Sequence, residues 1–107
     1  MVKFVVVLSR RPSMTREDFS EYLRTTHGEL ARRLPSLKRY VQNHAAQDSK
    51  RKPPAWDAVI ELYWENREAM EAAWASPEGA AATADLDAFA DLTRSSWSIV
   101  EEIVGIE

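Results

Sequence analysis

The first segment of the chain, Val2–Leu8, is almost wholly apolar and rich in β-branched residues. A run this short and this apolar is typical of a β-strand that is covered on both faces, because a strand with one face in solvent alternates apolar and polar residues more cleanly. The chain is therefore expected to form a sheet and to need cover on both sides of this strand.

The segment after residues 10–13 carries the signals of a helix. Thr15 supplies a hydroxyl N-cap, and Glu17 and Asp18 lie in the first turn, where they favour the helix dipole. Pro35 ends the segment. Apolar residues recur at steps of three and four, which predicts that one side of the helix packs on the sheet. This stripe consists of Phe19, Tyr22, Leu23, Thr26, His27, Leu30 and Leu34.

Three further segments are predicted to be strands. Residues 37–46 suit a second strand, residues 56–64 have strong β propensity, and a polar loop over residues 47–55 joins the two. Residues 97–106 form another apolar segment, which closes the chain. Together with the first segment, the sequence supplies four strands.

Two helix-start signals lie between the last two of these strands. Asn66 can cap a second helix. Ser76 is followed by Pro77, and proline suits the first position of a helix. We therefore expect further helical structure from residue 77 to about residue 92, as one segment or as two short turns.

The element order is β-α-β-β-α-β, which predicts an α+β fold of the ferredoxin-like type with the helices on one face of the sheet. We expect residues 1–107 to form one domain, since a chain of this length supports one modest core. The other sheet face has no cover within the chain, and pairing of two such faces in a homodimer would supply it. The exposed patch is expected to include Phe4, Val6, Leu8, Val59, Tyr63, Trp97 and Ile99.

The composition excludes several classes of protein. There is no cysteine, so neither a disulfide framework nor a thiolate nucleophile is present. The net charge of −3 argues against a nucleic-acid partner, because phosphate affinity comes from clustered Lys and Arg. The apolar N-terminal run is too short for a secretion signal, and no segment has the length of a membrane span. We expect a cytoplasmic protein with no membrane and no nucleic-acid partner.

Three blocks of residues stand in a characteristic order along the chain. The first block is Phe19, Tyr22, His27, Pro35, Leu37 and Tyr40. The second is Ala58, Glu61, Leu62 and Trp64, and the third is residues 75–79 with Asp85 and Phe89. In order and spacing these blocks resemble the EthD family of the dimeric α/β-barrel superfamily, which takes its name from a gene cluster for ethyl tert-butyl ether degradation.

The resemblance carries expectations about activity. Better understood relatives act on small cyclic or aromatic compounds without a bound cofactor; they include methylmuconolactone methylisomerase, aromatic polyketide cyclases, anthrone oxygenases and fungal dehydratases. It therefore implies a homodimer that binds a small-molecule substrate and needs neither a metal nor an organic cofactor. Haem is the alternative, because some proteins of the wider superfamily bind it through a histidine.

His27 is the main candidate for catalysis. It lies on the packed stripe between Leu23 and Leu30, where a lone histidine is commonly a hydrogen-bonded core residue. The resemblance places it instead where several relatives carry a histidine that faces a cavity between sheet and helices. Imidazole titrates near neutrality and can take a proton from carbon or from a phenol and return it elsewhere.

The strands supply candidate residues for substrate binding. By the period of two, Tyr40, Gln42 and His44 share one strand face. A second such set on the next strand is Asp57, Val59, Glu61 and Tyr63. If these faces adjoin they form a polar floor, where Glu61 would pair with a buried cation, act as a base of raised pKa, or simply reach solvent. The predicted substrate-binding residues are Tyr40, His44, Glu61, Phe89 and Trp97.

Three functions remain open at this point. The first is a cofactor-free isomerase, cyclase or dehydratase that uses His27 for acid/base catalysis on an aromatic, lactone or polyketide-like substrate. The second is a cofactor-independent oxygenase that acts on an electron-rich phenol. The third is an accessory protein that binds such compounds without transforming them. An enclosed pocket with a polar side chain against His27 would favour an enzyme.

Overall fold

The helices and strands follow one another in the predicted order. A computed structural model describes residues 1–107. The strands are β1 (Val2–Leu8), β2 (Arg39–His44), β3 (Ala58–Trp64) and β4 (Ser96–Val100). The first helical region runs through α1 (Arg16–Tyr22), a π-helical turn (Leu23–His27) and α2 (Gly28–Arg32). The second comprises α3 (Arg67–Ala75), α4 (Pro77–Asp85) and two 3₁₀ turns, Leu86–Ala88 and Leu92–Arg94.

The four strands form one antiparallel sheet in the order β2-β3-β1-β4. With the helices packed on one face, this order defines a ferredoxin-like fold, and the predicted fold class is confirmed. β1 lies in the interior of the sheet between β3 and β4, which explains why Val2–Leu8 is apolar on both faces. None of the helices combines the length and the hydrophobicity that a membrane crossing requires.

The helix-start signals lie where the helices begin. The Thr15 hydroxyl accepts a hydrogen bond from the Asp18 amide at 3.1 Å, and the Asn66 side chain accepts one from the Ala69 amide at 2.9 Å. The Ser76 hydroxyl caps α4 in the same way. Each cap satisfies a backbone donor that the first helical turn leaves without a partner.

The core lies between the helices and one face of the sheet. Its largest fully buried side chains are Trp64, Phe19, Phe89, Leu8 and Leu23. The strand register places Phe4 opposite Leu62 and Ile99, all on this helix-covered face. Five members of the predicted patch therefore lie on the other face, because alternation along a strand that is apolar on both sides does not reveal which side the helices cover. These five are Phe4, Val6, Leu8, Trp97 and Ile99. Trp97 and Ile99, on the outer strand β4, are nevertheless exposed, as predicted.

The opposite side of the sheet, here called the open face, is left uncovered by the helices. Its members alternate with the core residues along each strand. They include Lys3, Val5, Val7, Val41, Val59, Glu61, Tyr63 and Ser98. The open face thus carries a group of valines on β1, β2 and β3, flanked by polar and charged side chains that also include Arg39, Asn43 and Ser96.

The last strand is shorter than predicted. β4 ends at Val100, which pairs with Lys3 near the start of β1, so β1 offers almost no further length for the chain to pair with. Residues 101–107 form no strand, and the side chains of Ile103 and Ile106 are 90% and 95% exposed. The apolar composition of this tail predicted a strand, but a strand also needs a neighbour to supply its hydrogen bonds.

Candidate active site

A cavity of about 350 Å³ lies between the helix-covered face of the sheet and the helices. Twelve of its fourteen lining residues are hydrophobic, so a bound molecule would meet only a few polar groups. Val6 and Ile60 lie at its floor on the sheet, and Trp74 and Leu86 line it from the helical layer. A volume of this size suits a small organic molecule.

His27 is one of the few polar residues of this cavity. It is the last residue of the π-helical turn, and only 7% of its surface is exposed. Its Nδ1 atom lies 3.0 Å from Oδ2 of Asp85, the last residue of α4. The other oxygen of this carboxylate, Oδ1, accepts a hydrogen bond from the Tyr22 hydroxyl at 2.7 Å. One carboxylate therefore holds both side chains.

The partner of His27 determines which of its nitrogens carries the proton. An ionised carboxylate can only accept hydrogen bonds, so the Nδ1 atom facing Asp85 must donate. In the neutral imidazole the second nitrogen, Nε2, then carries a lone pair and can accept a proton. The contact of Nδ1 with Asp85 is the one side-chain hydrogen bond of His27, so Nε2 has no partner within the chain. This arrangement suits a general base that acts on a molecule in the cavity.

Burial keeps His27 in its neutral form. Removal from water lowers the pKa of His27 below its ordinary value of 6.5, while the nearby Asp85 carboxylate opposes this effect without reversing it. The hydrogen bond to Asp85, together with burial, raises the pKa of Tyr22 to about 12. At neutral pH the cluster thus consists of an uncharged imidazole, a carboxylate and a phenol that keeps its proton.

Phe89 supports the imidazole from behind. It is fully buried, and its ring centroid lies 4.9 Å from both the His27 and the Tyr22 rings and 5.3 Å from the Phe19 ring. It does not line the cavity. Its contact with a substrate was predicted, but its position is that of a support that fixes the orientation of His27.

A chain of hydrogen bonds runs along β2 on the cavity side of the sheet. Nε2 of Gln42 donates to the Tyr40 hydroxyl at 2.8 Å and to the carbonyl oxygen of Leu23 at 3.0 Å. Oε1 of Gln42 lies 2.8 Å from Nε2 of His44, and Nδ1 of His44 lies 3.1 Å from the Ser20 hydroxyl. Tyr40 lines the cavity, whereas Gln42 and His44 lie behind it.

The predicted polar floor does not form. The register of β2 and β3 pairs Tyr40 with Leu62 and Val41 with Glu61, so Tyr40 and Glu61 lie on opposite faces of the sheet. Of the predicted substrate-binding residues, Tyr40 and Trp97 line the same cavity as His27. Trp97 is 56% exposed and lies on the outer strand β4, which places it at the mouth. His44 is linked to the cavity only through Gln42.

Glu61 instead belongs to an ion cluster on the open face. Its Oε1 atom lies 2.5 Å from Nζ of Lys3, and its Oε2 atom accepts a hydrogen bond from Asn43 at 2.8 Å. Nζ of Lys3 also lies 2.9 Å from Glu102, and this carboxylate accepts a hydrogen bond from Tyr63 at 3.1 Å. Pairing with Lys3 lowers the pKa of Glu61. The sequence left three roles open for Glu61, and these contacts favour that of a partner for a cation.

Two polar residues of the candidate site, Asp85 and Thr83, were assigned no role from the sequence. Asp85 stood only among the residues of the family resemblance. One physical signal could have drawn attention to it, because an acidic residue at the C-terminal end of a helix opposes the helix dipole. Its partnership with His27, 58 positions away, is a tertiary contact that local patterns do not contain.

The EthD domain family matches residues 11–93, a span that includes His27, Tyr40, Asp85 and Phe89. The chain belongs to this family. It is 35% identical over 72 residues to an uncharacterized 11.0 kDa protein in the thcB-thcC intergenic region of Rhodococcus erythropolis, covering 67% of this chain and 69% of that protein.

Solved structures show the same fold. An EthD family protein from Bacillus halodurans superposes with a TM-score of 0.79 at 23% identity, covering 96% of this chain and all of that one. A mutant of SnoaB, a cofactor-independent oxygenase from Streptomyces nogalater, gives a TM-score of 0.66 at 18% identity, covering 94% of this chain and 91% of that one. Ferredoxin-like proteins from Bacteroides fragilis and Thermobifida fusca, with TM-scores of 0.63 and 0.69, are described as dimeric.

Proposed function

We propose that this protein is a cofactor-free enzyme in which His27 moves a proton on a small molecule bound in the cavity. The observation that carries this proposal is the 3.0 Å contact between Nδ1 of His27 and Asp85, because it leaves Nε2 as a free base in an apolar enclosure. His27 lines the cavity, so this lone pair lies beside the space in which a molecule would bind. Acid/base catalysis of this kind contributes roughly 10² to 10⁴ in rate.

Isomerisation, cyclisation or dehydration fits this arrangement best. In each reaction Nε2 takes a proton from carbon or from a phenol, and the imidazolium returns it to another carbon, to an oxygen or to a departing hydroxide. No electrons are gained or lost overall, so the residues present suffice. The mainly apolar lining favours an aromatic, lactone or polyketide-like substrate of modest size.

A cofactor-independent oxygenase is the second candidate, and the fold shared with SnoaB favours it. In that reaction His27 would remove a proton from an electron-rich phenol or anthrone, and the resulting anion would reduce O₂. One oxygen atom would enter the product, and the other would leave as water with two hydrogens from the substrate. The same base serves both reactions, so geometry alone does not separate them. An accessory protein that only binds such compounds is the third candidate, and it would not accelerate proton exchange in a bound molecule.

The assembly that we propose is a homodimer formed through the open face. This face carries Val5, Val7, Val41 and Val59, and burial of each large apolar side chain stabilises by roughly 1.5 to 3 kcal/mol. The dimeric description of two structural neighbours supports this arrangement. Independence from metals and from haem, a cytoplasmic location and the lack of a nucleic-acid partner stay predictions.

Anthrone in D₂O offers a test that separates the candidates. The wild-type protein should exchange the methylene protons of anthrone for deuterium faster than buffer does, under nitrogen and at neutral pH. Oxygen uptake when air is admitted would identify the oxygenase, and exchange without uptake would favour the first proposal. The control is Asp57→Asn, which alters another mostly buried carboxylate, one paired with Arg10 and Arg16 rather than with His27. Exchange at the buffer rate by wild-type protein that binds anthrone would contradict both candidates.

A further inference from the structure

Tyr40 adds a hydroxyl group to the lining of the cavity, and the hydrogen bonds of this hydroxyl give it a defined direction. The hydroxyl oxygen accepts a hydrogen bond from Nε2 of Gln42 at 2.8 Å. It donates no hydrogen bond to any group of the chain. Burial raises the pKa of Tyr40, so the phenol keeps its proton at neutral pH. That proton is therefore free to point to a molecule in the cavity.

The direction of the Tyr40 hydroxyl depends on how the Gln42 amide is turned. The carbonyl oxygen of Leu23 can only accept a hydrogen bond, so the group 3.0 Å away must be the NH₂ of Gln42. This places Oε1 of Gln42 against Nε2 of His44, which must then donate, and leaves Nδ1 of His44 to accept from Ser20. Because the NH₂ group can only donate, the Tyr40 oxygen must accept from it.

Gln42 also contacts the turn that carries His27. The Leu23 carbonyl belongs to the π-helical turn that ends at His27, and π-helical turns are frequent at functional sites. The glycine at position 28 leaves room for this approach, since a Cβ atom there would lie only 3.0 Å from both Nε2 of Gln42 and the Leu23 oxygen. One amide group thus contacts both Tyr40 and the turn that carries His27.

We propose that the Tyr40 hydroxyl donates a hydrogen bond to an acceptor oxygen of the bound molecule, and that Gln42 is the positioning residue that fixes this direction. The cavity then offers Nε2 of His27 as an acceptor and the Tyr40 hydroxyl as a donor, and its lining also includes Thr83 and Trp74, whose indole nitrogen has no hydrogen-bond partner in the chain. The compounds that match are neutral and mainly apolar, and carry a carbonyl or enol oxygen beside an acidic C–H or O–H group. This inference deepens the proposed function, since it assumes that the same cavity binds the substrate.

The pair 1-tetralone and tetralin tests this inference without any need for turnover. The two bicyclic compounds differ essentially in one carbonyl oxygen. The affinity of each is measured by calorimetry, and the C=O stretch of bound 1-tetralone by difference infrared spectroscopy. The variants are Tyr40→Phe and Gln42→Glu, because a carboxylate at position 42 accepts hydrogen bonds and would draw the Tyr40 proton away from the cavity. The matched control is Tyr63→Phe, which removes a hydroxyl on the open face.

In the wild-type protein and in Tyr63→Phe, we expect the C=O stretch of bound 1-tetralone to lie at lower wavenumber than in Tyr40→Phe. Tyr40→Phe should lower the affinity for 1-tetralone by about 3- to 10-fold, the size of one hydrogen bond. Its affinity for tetralin should stay within about twofold of the wild-type value. Gln42→Glu should cause the same selective loss of affinity for 1-tetralone. The double variant Tyr40→Phe/Gln42→Glu should lose no more of this affinity than Tyr40→Phe alone.

Two kinds of result would overturn the inference. One is an identical C=O stretch in the wild-type protein and in Tyr40→Phe, or equal losses for 1-tetralone and tetralin. The other is the absence of binding of both compounds to the wild-type protein. If Gln42→Glu does not fold, the comparison of the wild-type protein with Tyr40→Phe still decides the role of Tyr40. Selective ketone binding in a protein that catalyses no proton exchange would leave this inference standing while contradicting the proposed function.

Discussion

Nδ1 of His27 lies 3.0 Å from a carboxylate oxygen of Asp85, across a sequence separation of 58 residues. The contact joins the last residue of the π-helical turn to the last residue of α4, and it fixes the one histidine of the cavity in a single orientation. Proton transfer by His27 depends on this orientation, because only the nitrogen that faces the cavity can reach a bound molecule.

The first prediction concerns the tautomers of the two histidines. His27 should carry its neutral-state proton on Nδ1 because it donates to Asp85, whereas His44 should carry it on Nε2 because it donates to Gln42. The chain has only these two histidines, so nitrogen-15 NMR of the imidazoles at about pH 7.5 resolves both, with His44→Asn for assignment. The same tautomer for both residues would contradict the hydrogen-bond assignments.

The second prediction concerns Asp85→Asn. An amide in place of the carboxylate can donate to Nδ1 and so allows the wrong tautomer, with the proton on the nitrogen that faces the cavity. Proton exchange from anthrone should fall by at least about 10², and the NMR signals of His27 should show the change of tautomer independently of activity. Asp57→Asn is the control, and is expected to alter stability but not the His27 signals. An unchanged tautomer with reduced exchange would assign Asp85 a different role.

The order of elements and the helix caps could be predicted from the sequence, because each depends on residues close together in the chain. Thr15, Asn66 and Ser76 all cap helices as expected. The position of His27 on the packed helix stripe also followed from local periodicity. These features need no knowledge of which element packs against which.

The features that sequence reasoning missed depend on contacts between distant residues. The two faces of β1 are both apolar, so the sequence could not reveal that Phe4 faces the helices and that Glu61 lies on the other side. The pairing of His27 with Asp85 and the link from Gln42 to Leu23 each join separate elements. The tail after Val100 has a strand-like composition, but the partner strand ends there.

The third prediction concerns the pH dependence of stability. Burial lowers the pKa of His27 in the folded chain below the ordinary value of 6.5, so the unfolded chain takes up a proton more readily as the pH falls. The free energy of unfolding should therefore be unaffected by His27 well above pH 6.5 and decrease as the pH falls below it. Urea unfolding at about pH 7.5 and pH 5.5 measures this decrease.

The decrease should be smaller in His27→Asn than in the wild-type protein. His44 is expected to retain part of it, because burial lowers the pKa of His44 as well. An equal pH dependence in the wild-type protein and in His27→Asn would show that His27 gains its proton as easily in the folded chain as in the unfolded chain.

The fourth prediction concerns the dimer. Val7 lies on the open face opposite Val59, so Val7→Lys would place a charge in the middle of the proposed interface. Light scattering at micromolar concentration should give twice the chain mass for the wild-type protein and the chain mass for Val7→Lys. The control is Ala72→Lys, on an exposed site of α3, which should remain dimeric. A monomeric wild-type protein would require a different cover for the open face.

His27→Asn tests the central claim most directly, with the deuterium exchange of anthrone and the melting temperature measured on the same preparation. We predict a folded dimer whose melting temperature is close to that of the wild-type protein and whose exchange rate is lower by roughly 10² to 10⁴. In the wild-type protein the exchange rate should change with pH as His27 ionises, and this pH dependence should be absent from His27→Asn. A strongly lowered melting temperature with near-native exchange in the folded fraction would contradict the claim, and would make His27 a residue of the core.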